Sequence, residues 1–178
     1  LVVSGHGKGA LTAIRQISEM KVDVPMLAMT HCDASKLAKQ HGEKSEYALC
    51  AAQWHKTLSY RDKYFGSGKK FDKDFTAEYG YAPPYQAAES AAALLVWKDA
   101  FERANSFDTE KVRDALAATD MQTFYGNIKF SDAGQNIAKP MVLFQVICDG
   151  DKCENKVVAP TKWASAELIH PAPAWSER

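Results

Sequence analysis

The residue types best suited to chemistry gather early in the chain, where Gly5-His6-Gly7-Lys8-Gly9 follows a short apolar run. The motif has neither the four-residue gap of a phosphate loop nor the G-x-G-x-x-G spacing of a dinucleotide site. A glycine-rich link between strand and helix still exposes backbone N–H groups at the positive helix end, which suits an anion such as a carboxylate. The bland reading of the same glycines is a tight turn that needs positive φ. Further on, Thr30-His31-Cys32-Asp33 sets a hydroxyl, an imidazole and a thiol side by side. His31 and Cys32 invite a base-and-nucleophile reading. Adjacent residues at a strand end generally point apart, however, and no second base is identifiable. No catalytic residue is expected, and neither a cofactor nor a metal.

These groups need a scaffold, and the pattern supplies one. Residues 1–4 read as the end of a buried strand. A helix follows with Leu11, Ile14 and Ile17 on one face. Residues 26–30 form a second short strand, a polar helix lies around 35–40, and 47–53 form a third strand. Strands alternating with helices of this length argue for βαβ units and a parallel sheet. Ligands of such sheets sit at the carboxyl ends of the strands. Three of those ends carry His6 and Lys8, then Thr30 and His31, then Trp54 and His55. The expected ligand-binding set is therefore His6, Gly7, Lys8, Thr30, His31 and Trp54. For any one histidine the alternative is a surface or capping residue, His55 above all; His41 and His170 read as exposed.

After Trp54 the texture changes. Residues 60–70 are aromatic, basic and broken by Gly66 and Gly68, as in a connection leaving the sheet. A short helix over 71–79 stops at Gly80. An alanine-rich helix over 84–104 has Tyr85, Ala88, Ala92 and Leu95 on one stripe, Leu94 and Phe101 beside it, and Trp97 expected in the core. Asp108 is placed to cap a further helix carrying Val112, Ala115 and Leu116. Residues 127–130 read as a strand. The alternating run Val142 to Cys148 turns at Asp149-Gly150-Asp151-Lys152 and returns through Cys153. Residues 163–178, with Pro171 and Pro173, read as a tail over the surface.

The four cysteines match no zinc spacing. In an antiparallel ladder Cys148 and Cys153 face each other across about 4.5–5.5 Å, within reach of a disulfide; the alternative is two solvent-side thiols. A bridge there would imply an oxidising compartment. Cys32 and Cys50 are expected to be separate buried residues, the alternative being a second bridge. The 178 residues carry 22 basic and 22 acidic side chains, scattered, so no footprint for nucleic acid is visible. No apolar run approaches the roughly 20 residues that span a bilayer. With no initiator Met and no sheet neighbour ahead of residues 1–4, the chain is expected to be a piece of a larger protein.

Tyr79-Gly80-Tyr81-Ala82-Pro83-Pro84-Tyr85-Gln86-Ala87-Ala88, Ala100 to Asn105, Asp108, Val112-Arg113-Asp114-Ala115-Leu116 and the run Phe124 to Asn136 resemble a helix–helix–strand run of one family. That family is the branched-chain amino-acid-type (type I) periplasmic solute-binding proteins of ABC transporters. Val157-Val158-Ala159-Pro160 and Pro171-Ala172-Pro173-Ala174-Trp175 are similar to its C-terminus. The resemblance covers about the C-terminal half of such a protein. It implies an α/β fold of two parallel-sheet βαβ lobes with a C-terminal antiparallel hairpin. Residues 1–53 would be part of the second lobe and 54–70 a crossover at the hinge. Residues 71–125 would be helices packing on the first lobe, and 126–178 a hinge strand, the return hairpin and the tail. It further implies periplasmic capture, not catalysis, of an amino acid or related small carboxylate, and docking on a membrane permease. Family ligand contacts in this lobe fall on His6 and on Thr30 or His31. Amino-acid binders usually place an aromatic and an acidic residue there, so this departure leaves room for another small carboxylate, aromatic ones included. The remaining contacts belong to the missing N-terminal half. A ligand-sensing receptor domain of the same fold is the alternative, and an α/β enzyme a more distant one.

Overall fold

The computed structural model describes residues 1–32, 37, 40–150 and 152–178. Most of the polar helix expected around 35–40, Asp33 and Asp151 lie outside the described residues. The chain divides into two compact units, 1–52 with 141–178, and 53–140.

The first unit is a mixed α/β sheet of five strands. Strands β1 (Val2–Val3), β2 (Ala28–Met29) and β3 (Leu49–Ala52) run parallel, with Val3 beside Met29 and Met29 beside Cys50. Helix α1 (Gly7–Glu19) crosses from β1 towards β2 and buries Ala10 and Ile14. The long hairpin near the C-terminus adds itself antiparallel to β3, so the sheet is parallel on one side and antiparallel on the other. Its apolar face closes the core with Val142, Phe144, Val146 and Val157. The fold class expected from the sequence is the one observed.

Cys148 and Cys153 are register partners on this hairpin and are bridged. The turn is tighter than four residues, because Asp149 still pairs with Lys152. Gly150 at φ 55 supplies the left-handed conformation that so short a connection requires. The expectation for the other two cysteines is corrected: Cys32 and Cys50 form a second disulfide, with Cα atoms 5.9 Å apart. The reason is the pairing of parallel neighbours. Cys50 lies beside Met29 on β3, and Cys32 follows just beyond the end of β2, so both side chains enter the same buried layer.

Two further observations concern the tail and the hairpin. Gln145 is 1% exposed, and its amide joins Tyr47 and both backbone groups of Ile169: Nε2 donates to Tyr47 O and Ile169 O, while Oε1 accepts from Ile169 N–H. The tail lies over the surface as expected, with no residue of 163–178 buried, but it is fastened there by these bonds. Trp175 adds bonds from its backbone N–H to Asp23 and from its indole to Val22 O.

The second unit is built on aromatic packing. Trp54, Phe65, Phe71 and Phe124 share one cluster, with Phe71 and Phe124 stacked at 4.4 Å. Residues 60–70 contain two strands the pattern did not announce, β4 (Arg61–Asp62) and β5 (Gly66–Ser67). Asp62 organises them: its carboxylate accepts from Tyr64, Phe65 and, across the unit, Phe124 N–H at 2.6 Å. Helix α2 (Gly68–Tyr79) starts three residues ahead of expectation, because Ser67 caps it through the Lys70 N–H, and it ends at Gly80 with φ 76. Helix α3 (Tyr85–Ala104) and α4 (Thr109–Ala117, capped by Asp108) pack together; α3 buries Ala88, Ala92, Leu95, Val96 and Ala100, and α4 buries Val112. Trp97 is not core as expected but 46% exposed, and Leu94 and Phe101 share its outer face. Strands β6 (Asp120–Gln122) and β7 (Asn127–Lys129) pair antiparallel after α4, and the hairpin strands are β8 (Val142–Asp149) and β9 (Lys152–Ala159). Among the described residues no helix is long and apolar enough to cross a membrane.

Candidate functional site

The site begins with the parallel register of β1 and β2. Because Val3 lies beside Met29, the residues that leave these strands emerge together. Gly5 N–H donates to Thr30 Oγ1 at 2.9 Å, and that hydroxyl returns its proton to Gly5 O at 3.1 Å. Thr30 is therefore a brace between the strand ends, its hydroxyl proton already committed. One lone pair is all it retains for anything else.

Beyond the brace, the rings of His6 and His31 come together. Their ring centroids are 5.0 Å apart with planes tilted by 56°, and both residues are exposed. His31 holds φ 52, a left-handed conformation rare outside glycine. It is constrained on both sides, by the Thr30–Gly5 bonds before it and by the Cys32–Cys50 bridge after it. His6 occupies the N-cap of α1 in extended conformation, and its carbonyl accepts from Gly9 and Ala10 N–H.

The start of α1 carries neither a side-chain cap nor an acidic residue in its first turn. Its first N–H groups, with Lys8, therefore present positive charge beside the imidazoles. The tight-turn reading of Gly7 and Gly9 does not apply: both are helical, and neither has positive φ. A Cβ built on Gly7 would meet His31 O at an ordinary 3.5 Å, which shows how closely the helix start lies against the second strand's end. The structure thus brings together His6, Gly7, Lys8, Thr30 and His31. A donor-rich, uncapped helix start flanked by two imidazoles is chemically an acceptor of anions.

Trp54 belongs to the other unit. It is 5% exposed, enclosed edge-on by Phe71 and Phe124. His55 follows it in a turn closed by Leu58 N–H on His55 O. The His55 Nδ1 accepts from Thr57 N–H at 3.4 Å and lies 2.8 Å from Thr57 Oγ1. Burial is the main cause that lowers its pKa to about 4, with Lys56 adding and Asp72 opposing. The nucleophile reading of His31-Cys32-Asp33 has no thiol to work with, since Cys32 is bridged.

Sequence reasoning missed Lys139. Its ammonium donates to Gln53 O and lies 4.5 Å over the Tyr125 ring. Its stem crosses Gly126, where a Cβ would collide with it. Burial lowers its pKa to about 8 against the pull of Glu89. Gln53 and Lys139 stand where the chain enters and leaves this unit, so the bond ties the two passages together. The only sequence signal was a lone Lys before Pro140.

Comparison with known proteins follows the same lines. A family profile described as periplasmic binding protein matches residues 1–152. A leucine-binding protein of Thermotoga maritima is 23% identical, with a TM-score of 0.71 over 90% of this chain and 45% of that one. A branched-chain amino acid substrate-binding protein of Streptococcus pneumoniae, solved with isoleucine, is 19% identical, with a TM-score of 0.68 over 89% and 44%. A solute-binding protein of R. palustris, solved with benzoate, is 19% identical, with a TM-score of 0.61 over 97% and 44%. The chain therefore spans less than half the length of these structures.

Proposed function

This chain belongs to the periplasmic binding protein family, and on that premise we propose that it is part of the extracytoplasmic solute-binding component of an ABC transporter. Its ligand is a small carboxylate, an amino acid or an aromatic acid, captured by closure of two lobes and delivered to a membrane permease. In this reading residues 1–52 and 141–178 are the second lobe, 53–70 carry a crossover, and 71–125 pack on a first lobe supplied by the N-terminal half. The observation that carries the proposal is the uncapped start of α1 beside the His6–His31 pair, at the carboxyl ends of two parallel strands. His6, Gly7, Lys8 and His31 face the ligand, Thr30 braces them, and Trp54 serves the aromatic core. Two disulfides, with no free cysteine, favour an oxidising compartment such as the periplasm. Histidine in place of the usual aromatic and acidic pair favours a carboxylate without an α-amino group, as in the benzoate-bound relative.

Calorimetric titration of the full-length protein in EDTA with leucine, isoleucine and benzoate tests this. At least one should bind, and His6→Ala and His31→Ala should each weaken it about tenfold, the loss expected of one charge-assisted contact. Unchanged affinity in both variants removes the site.

A further inference from the structure

We propose that His6 and His31 together bind a divalent transition-metal ion of the zinc, nickel or copper class, which leaves open positions for a carboxylate held against the start of α1. The inference deepens the carboxylate reading of the same site, but its first measurement does not depend on that reading.

The argument starts from a strained residue. A non-glycine side chain at φ 52 is uncommon and persists where its surroundings over-determine it. His31 is so determined, by the hydroxyl brace on one side and the disulfide on the other. What that conformation achieves locally is the approach of one imidazole to another, with ring centroids 5.0 Å apart. Two imidazoles bound to one tetrahedral ion, each with a metal–nitrogen distance of about 2.0–2.1 Å, place their ring centres about 5 Å apart. The observed separation already meets that requirement, and both rings are accessible.

Imidazole suits zinc, copper and nickel, whereas magnesium and calcium select oxygen ligands. An ion held by these two imidazoles alone would keep exchangeable positions, as an open site does. The surrounding charge decides what fills them. Lys8 and the positive end of α1 oppose a bare cation but favour an anion beside it. A carboxylate bridging the ion and the helix start satisfies both groups at once.

The test titrates the full-length protein, freed of metal, with zinc, nickel and copper ions in the absence of any carboxylate. One equivalent should bind, and copper should show two-nitrogen coupling in its electron paramagnetic resonance spectrum. His6→Ala and His31→Ala should each weaken binding by at least about tenfold, the scale on which even outer-shell partners of a metal count. The His41→Ala and His170→Ala variants should leave it unchanged. Both site residues are exposed, so melting curves of the variants should match the parent and show that folding is not the cause. Absent binding, or binding that survives both site variants, overturns the metal site while leaving the carboxylate measurement in EDTA untouched. Carboxylate affinity that rises with metal present, and only with both histidines intact, supports the bridged ligand; carboxylate affinity indifferent to metal overturns that part.

Discussion

His31 and His55 show how one side chain takes opposite roles by environment. His31 is exposed, and a left-handed residue other than glycine costs about 1–2 kcal/mol, so its placement is a local cost that the brace and the bridge must sustain. His55 is folded into a turn, where burial lowers its pKa to about 4 from the ordinary 6.5. In the unfolded chain it takes up a proton near pH 6.5, and in the folded one near pH 4. Between these values the unfolded state holds more protons, so stability rises with pH across the window. Its contribution is complete above about pH 6.5 and is lost as pH falls towards 4, by up to about 3 kcal/mol. Urea unfolding at pH 7 and pH 4.5 checks this: the parent should lose more stability than His55→Gln between the two. Equal losses would remove His55 as a source of acid sensitivity. Sequence placed both histidines at strand ends, yet only tertiary burial separates them, and burial by residues distant in the chain is not written in local spacing.

Among elements, the boundaries written in caps and glycines were legible. The long helix runs Tyr85–Ala104 against an expected 84–104, and Asp108 and Gly80 hold the positions their chemistry suggested. Faces were less legible. Leu94, Leu95, Val96 and Trp97 are consecutive, so although the stripe of Ala88, Ala92 and Leu95 is indeed the buried one, the apolar pattern did not keep Trp97 out of the expected core. The Cys32–Cys50 bridge was hidden because strand adjacency is a non-local fact. Gln145 was hidden for a different reason: it lies within the alternating run, and nothing in the local pattern says where its amide will find partners. Its amide joins β8 to the tail through two bonds to Ile169 and to the segment before β3 through a third, to Tyr47 O. Replacing Gln145 with Leu keeps the volume but leaves Tyr47 O and the Ile169 N–H and C=O without their partner. The expected loss is about 1–3 kcal/mol in all, because Ile169 is 37% exposed and water replaces part of what its groups lose. Chemical denaturation should show it, together with faster amide exchange at Ile169; retained protection there would mean that other contacts fasten the tail.

At the scale of the whole molecule, the binding groups argued for lie on one unit only, at the ends of β1 and β2. A ligand held by a helix start and two exposed imidazoles keeps much of its surface in water. The chain spans less than half the length of its solved relatives, and in the proposed reading the missing half supplies the opposing contacts. Affinity then depends on both halves, and so does stabilisation by ligand. A ligand that binds only the folded state adds about 2.7 kcal/mol at a concentration one hundred times its dissociation constant. Thermal unfolding of the full-length protein at that excess should shift upward accordingly, and the shift should vanish in the His6→Ala, His31→Ala double variant. The 178-residue chain alone, given the same ligand concentration, should shift far less, because hinge closure can stabilise a bound state only where both lobes engage the ligand. An equal shift for the chain alone would mean that these residues already hold a complete site, and the two-lobe mechanism would fail.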